Sequence, residues 1–205
     1  MDSVWRERRG YMKKVITLSR QFCSGGSTIG RKLSQTLSIP CYDSSLLDKI
    51  AEKSGFDSEY IREEGEYSKG ILSMILSHGT GELSNQEKLW VIQHNIISKL
   101  GTTEDCIIVG RCADYILKEK ADCLNIFIHA DMDFRKERLL ASNADIEPDK
   151  CVRFLKKKDK ARAAHYNYFT DQGWGDAKNY HLTLDAGKFG IEKCVEIISS
   201  LYKKG

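Results

Sequence analysis

The chain has 205 residues, enough to bury one substantial core and short for two independent domains. Charged residues make up 30% and hydrophobic ones 41%, which excludes wholesale disorder, and no apolar run approaches the ~20 residues of a membrane span. The formal net charge of +3 is mild and its basic groups are mixed with acidic ones, so no general nucleic-acid surface is implied.

The seven cysteines are scattered without a C-x-x-C pair, the pattern of reduced thiols in a cytoplasmic protein rather than of a zinc site. Met1 to Tyr11 is charged and lacks the apolar middle of a secretory signal. It is expected to be a loose tail, or to precede a natural start at Met12. Residues 12–205 are then expected to form one domain.

Val15 to Leu18 is a short β-rich apolar run closed by a glycine-bearing stretch, which fits a buried strand. Ile29, Leu33 and Leu37 follow at helical spacing. Asp43-Ser44-Ser45, after a short segment Ile39 to Tyr42, is placed to cap a helix from Leu46 to Lys53. The stretch from Phe56 to Gly81 reads as two short helices with a glycine-containing turn. Ser84-Asn85-Gln86-Glu87 has capping-box form and opens an amphipathic helix through Leu89, Ile92, Ile96 and Leu100. Cys106 to Val109 and Leu124 to Ile128 are further buried strands. The first is followed by a helix opening at Gly110-Arg111, the second by a charged helix through Phe134 and Leu139. A basic helix over roughly 149–165, a strand Tyr180 to Leu184 and a helix Ile191 to Leu201 complete the chain.

Strands alternating with helices predict an α/β fold: a three-layer parallel sheet of about five strands with helices on both faces. In such sheets ligands sit beyond the carboxyl ends of the strands. The residues there are Ser19 to Thr28, Asp43, Arg111, Asp131 and Asp185, all in polar stretches.

Between the first strand and its helix lies Ser19-Arg20-Gln21-Phe22-Cys23-Ser24-Gly25-Gly26-Ser27-Thr28. Paired glycines let backbone N–H groups turn around an anion, and the helix N-terminus adds partial positive charge. Ser24, Gly25, Gly26, Ser27 and Thr28 are therefore candidates for holding donor phosphates, with the hydroxyl of Ser27 or Thr28 on a magnesium ion. The bland alternative is a glycine turn that lets the helix pack closely on the sheet. The loop departs from G-x-x-x-x-G-K-[ST], because Gly26 stands where lysine is wanted. Another cation must then neutralise phosphate charge; Arg20 is the leading choice and Arg31 its rival.

Ser19-Arg20, Ser24-Gly25-Gly26, Ile29-Gly30, Tyr42-Asp43 and the run Val109-Gly110-Arg111-Cys112-Ala113-Asp114-Tyr115-Ile116-Leu117 together resemble the cytidylate-kinase-like family, relatives of the P-loop nucleoside monophosphate kinases. The resemblance continues through Asp159 to Tyr168 and Leu182 to Gly187. It implies ATP- and Mg2+-dependent phosphoryl transfer to a nucleoside monophosphate, with an acceptor-binding helical part at about 45–82 and a helical lid at about 149–175. It implies that Asp43 lies near the acceptor nucleotide and that Arg111 grips the acceptor's phosphate. Cys112 replaces the family's Asp, which leaves the base or sugar recognised open. The lid residues would be Lys158, Arg162 and Tyr166, which share one helix face at i, i+4 and i+8. Lys158 and Arg162 would act with Arg20 in catalysis, and Tyr166 on the acceptor.

Blander roles stand beside these. Lys156 to Lys160 reads as a solvated face, Arg111 as a partner of some carboxylate, Asp43 as a helix cap. Asp131 and Asp133 read as caps, Arg135 and Arg138 as surface ion-pairing residues, Cys112 as a small buried side chain, and Trp90 and Trp174 as packing residues. Of the five histidines only His165, beside Arg162, is placed to matter. The alternatives to a nucleoside monophosphate kinase are a kinase of another small acceptor and a nucleotide-binding regulatory protein that has lost efficient transfer. Oligomeric state is left open.

Overall fold

The structure, a computed structural model, describes residues 12–43, 85–142 and 146–204. The helices expected over 46–53 and 56–81, the capping serine at 84 and the N-terminal tail lie outside these residues.

Strand β1 (Lys14–Arg20) leads through the glycine loop into α1 (Gly26–Leu37) and the short β2 (Cys41–Tyr42). Helix α2 (Asn85–Thr103) precedes β3 (Cys106–Val109), one turn of helix α3 (Ala113–Ile116) and β4 (Asp122–His129). Then come α4 (Met132–Ser142), α5 (Cys151–Thr170), β5 (Leu182–Asp185), the short α6 (Ala186–Phe189) and α7 (Ile191–Lys204). All five strands run parallel in the order β2-β3-β1-β4-β5.

Parallel strands covered on both faces alternate between two apolar environments. Ile16 and Leu18 of β1, with Ile107 and Val109 of β3, meet Ile29 and Leu33 of α1 and Cys194, Val195 and Ile198 of α7. Val15, Cys106 and Ile108 face the other way, onto Leu89, Ile97 and Leu100 of α2 and Leu117. A third cluster joins Leu139 of α4 to Cys151 and Leu155 of α5, with Phe22 and Cys23 of the glycine loop packed against it. This last contact brings the basic helix to the carboxyl ends of the strands.

Helix α1 sits close to the sheet because residue 30 has no side chain. A Cβ there would stand 3.0 Å from Val109 Cγ2 and 3.2 Å from Cys41 Sγ. Gly30→Val is therefore expected to overpack this interface and cost about 1–3 kcal/mol in urea unfolding. An unchanged midpoint would show that α1 can lift off the sheet freely.

Candidate active site

Arg20 closes β1 and its side chain runs across the carboxyl edge of the sheet toward β3. Its Cβ and Cγ lie 2.7 Å from the place a Cβ at Gly26 would occupy, and a Cβ at Gly110 would overlap its Nη1. The guanidinium ends 3.8 Å from Asp43 Oδ1, while its Nε is buried without a hydrogen-bond partner. A side chain at position 26 and Arg20 in this path exclude one another. The rival cation, Arg31, is exposed on α1.

After β3 the chain makes a left-handed turn. Gly110, Arg111 and Cys112 have φ of 79°, 58° and 56°. Two successive non-glycine residues in this region mark a strained backbone, and such strain collects at functional sites. The turn explains why a full helix does not start at Gly110-Arg111 as the sequence predicts: only Ala113–Ile116 is helical. It is held by Gln93 Nε2, which donates to Arg111 O at 2.9 Å.

Helix α5 supplies the remaining wall. Its Asp159 accepts from Phe22 N through Oδ1 at 2.7 Å and from Arg135 Nη1 through Oδ2 at 2.5 Å. Arg135 is buried, not the surface residue its sequence context predicts. So anchored, α5 carries Arg162 to within 3.2 Å of Arg20 O and over the Phe22 ring at 5.0 Å. Lys158 stacks on the same ring at 5.5 Å, beside the glycine loop.

These elements bound a cleft with ≈ 460 Å³ of empty space, its open mouth included. Arg20, Arg111, Arg162, His165, Tyr166 and Trp174 line it, with no Asp or Glu among its described lining residues. Three of the residues singled out by sequence for catalysis or the acceptor, Arg20, Arg111 and Arg162, thus meet here with Tyr166. Asp43 stands beside Arg20, and Lys158 lies on the loop side. The described part of the basic segment is packed against the glycine loop at its middle.

Tyr166 is buried and donates through its hydroxyl to Asp114 Oδ2 at 2.6 Å. Tyr166 also lines the cleft, with its hydroxyl engaged by Asp114. Burial raises the Asp114 carboxyl, opposed by that hydrogen bond, and burial drives the Tyr166 phenol upward. Burial likewise holds the Cys112 thiol far above its ordinary value, which leaves it an inert side chain. His165 has a buried, unpartnered Nε2. Burial and the charge of Arg111 push its pKa down to about 3, so the imidazole is neutral among arginines. Trp90 stacks on Phe169 at 4.4 Å as a packing residue, whereas Trp174 both packs on Phe127 and lines the cleft.

The glycine loop fits an anion. Gly25, with φ of 95°, turns the chain into α1, whose first turn has no side-chain cap and no acidic residue. Two hydroxyls of the loop are already engaged. Ser24 Oγ, fully buried, shares its one hydrogen between Gln21 O and Ile128 O, so this side chain ties the loop to β4. Thr28 Oγ1 accepts from Arg138 Nη2 at 3.2 Å. An oxygen that already faces a guanidinium is a poor magnesium ligand, which weighs against Thr28 in that role. Asp131 Oδ1 accepts from Phe134 N at 2.8 Å and Asp133 pairs with Lys136, so both are spent on α4. No described helix is long and apolar enough to cross a membrane.

Comparison with known proteins agrees with this architecture. The model of the cytidylate kinase-like family matches residues 15–188, and the chain belongs to that family. An uncharacterized protein from Eubacterium ventriosum ATCC 27560 superposes with a TM-score of 0.72 at 24% identity, over 94% of this chain and 100% of that one. Shikimate kinase from Bacteroides thetaiotaomicron does so at 0.55 and 17%, over 94% and 99%. A gluconokinase from Sinorhizobium meliloti 1021 gives 0.52 and 13%, over 94% and 95%. A search of curated proteins finds no match. Family and fold together support nucleotide-dependent phosphoryl transfer.

The neutral His165 sets a pH dependence. Its folded pKa of about 3 lies below the ordinary 6.5, so its stabilising contribution is present above about pH 6.5 and is lost as pH falls toward the folded value. Across that window the stability difference between wild type and His165→Gln is expected to shrink by up to about 1.4 kcal/mol per pH unit. Urea unfolding of both proteins over this range tests it; parallel slopes would show that the folded imidazole takes a proton as readily as the unfolded one.

Proposed function

We propose that this member of the cytidylate kinase-like family transfers a phosphoryl group from Mg-ATP to a nucleoside monophosphate bound in the arginine-lined cleft. The observation that carries the reading is the convergence of Arg20, Arg111 and Arg162 on one cleft whose described lining holds no carboxylate. An acceptor that is itself a phosphate needs its charge offset and its oxygen aligned, and needs no general base.

The chain's own residues divide the work. The first turn of α1 receives the donor's phosphates, and magnesium, held by Ser27 and those phosphates, would offset their charge. Arg111, projected by the left-handed turn, grips the acceptor phosphate in a planar fork. Arg20, between loop and cleft, and Arg162, seated on Arg20's own carbonyl, stand where charge develops on the transferring group. Lys158 adds charge on the loop side. Trp174 and the ring of Tyr166 give the acceptor an apolar wall and exclude water from it.

A second reading has a small hydroxylated carboxylate as acceptor. Asp43 favours it, because a carboxylate beside Arg20 is placed to take a hydroxyl proton. The neighbours named as shikimate kinase and gluconokinase share the fold that such an acceptor would use.

A coupled ADP-release assay with Mg-ATP across CMP, dCMP, UMP, AMP, GMP and a set of hydroxylated carboxylates separates the readings. ADP release with a nucleoside monophosphate is the expected outcome. Turnover with a hydroxylated carboxylate alone would move the acceptor, and ATP binding without any turnover would favour a regulatory protein. With the active acceptor, Arg111→Ala is expected to lower kcat/KM on the order of 100-fold, through loss of a charge-assisted contact. Arg20→Ala should cost at least as much and Arg31→Ala only a few-fold; equal effects would remove Arg20 from its assigned role.

A further inference from the structure

Among the described residues, Arg138 is a cation without a counter-ion beside the glycine loop. It stands on α4, and its guanidinium carbon lies 3.9 Å from the place a Cβ at Gly25 would occupy. Its Nη2 donates to the neutral hydroxyl of Thr28 at 3.2 Å, its Nε is buried without a partner, and the Phe134 ring lies 5.6 Å away. Among the described residues no carboxylate pairs with it. Arg135, one turn earlier on the same helix, shows the contrast, being neutralised by Asp159.

The position is electrostatically poor for an unneutralised cation. Thr28 lies in the first turn of α1, where the helix dipole and unpaired amides already present positive charge. A guanidinium facing that turn is repelled unless an anion lies between them. Arg20 does not serve this side, because its guanidinium has crossed to Gly110 and Asp43.

We propose that Arg138 binds the donor: its guanidinium is the counter-ion of a nucleoside triphosphate's phosphate chain, held together with the hydroxyl of Thr28 and the first-turn amides of α1. This rests on the reading that the glycine loop receives the donor, and it adds a residue that sequence context placed among surface ion pairs. The site then has separate cations for its two substrates: Arg138 on the donor side of the loop, Arg111 and Arg162 on the acceptor side.

Calorimetric binding of Mg-ATP, Mg-tripolyphosphate and adenosine to wild type, Arg138→Ala, Arg138→Lys and Thr28→Val tests this without any acceptor. Arg138→Ala is expected to weaken both phosphate ligands about 10- to 100-fold, leave adenosine unaffected and keep or raise the ligand-free Tm. Arg138→Lys should recover part of the loss, and Thr28→Val should lose less than Arg138→Ala. Wild-type affinity in Arg138→Ala overturns the proposal, as does a lowered ligand-free Tm with Thr28→Val reproducing the whole effect. Weakening of ATP with tripolyphosphate unchanged overturns the phosphate assignment. Absence of any wild-type binding overturns it together with the donor-loop reading. Intact wild-type ATP binding with a silent acceptor panel would sink the acceptor assignment alone, and a weakened Arg138→Ala would still support this one.

Discussion

The site depends on the passage of one side chain between two glycines. Arg20 leaves the end of β1 and lies across the sheet's edge, with Gly26 against its stem and Gly110 against its guanidinium. Space at both positions is the condition for that path. It ties together two features that look unrelated in the sequence: the lack of a lysine at position 26 and the glycine that follows β3. A lysine at 26 would need the volume that Arg20 Cβ and Cγ fill. Gly110, free to adopt φ of 79°, makes room for Arg20 and also begins the left-handed turn that presents Arg111. Loss of the usual cation and the gathering of arginines at the cleft are two sides of one packing solution.

Asp159 fixes the other half. One carboxylate oxygen takes the Phe22 amide of the glycine loop and the other takes buried Arg135. A buried ion pair gains net stability only when hydrogen bonds satisfy the remaining lone pairs, and here the backbone amide does part of that. The result holds α5 against the loop through its middle, so that Lys158, Arg162, His165 and Tyr166 arrive along one face. The basic helix is therefore part of the loop's own packing, with Phe22 and Phe154 joined in the same cluster. Any closure that excludes water has to work around this anchor, through segments on either side of it.

Much of this was legible beforehand, for physical reasons that also mark where reading stopped. Apolar runs closed by polar or glycine-bearing stretches located all the longer strands, because strands buried on both faces must be apolar throughout. The reading matched β3 end to end, whereas the ends of β1 and β4 were missed because the parallel ladder outruns the apolar run: Lys14 pairs with Asp122 and Arg20 with Ile128 through the backbone alone. The helix expected at Gly110 failed because three successive positive φ values cannot be read from Gly-Arg-Cys. Arg20, Arg111 and Arg162, which line one cleft, could be singled out because they follow strands or share a helix face. Arg135 and Arg138 were not, since Asp-Phe-Arg-Lys-Glu-Arg has the charge pattern of a solvated helix. What buries Arg135 is Asp159, 24 positions away, and what faces Arg138 is Thr28, 110 away. Burial of the Ser24 hydroxyl likewise depends on Ile128, on a different strand.

The charge states around the cleft follow from the arginines and from exclusion of water. Imidazole beside Arg111 stays neutral because a further positive charge there would be both desolvated and repelled. Asp114, a buried carboxyl, is drawn toward its protonated form by burial and accepts from the Tyr166 hydroxyl. Among the described residues, the carboxylate that reaches Arg20 is Asp43, 3.8 Å away. The described lining of the cleft is thus rich in arginine and holds no carboxylate. On the reading proposed above, a phosphate acceptor would meet these guanidinium groups with forked, charge-assisted contacts. The same electrostatic condition holds on the far side of the loop, at Arg138. If the two proposals hold, separate cations on either side of one glycine loop would offset the repulsion between two anions brought together there.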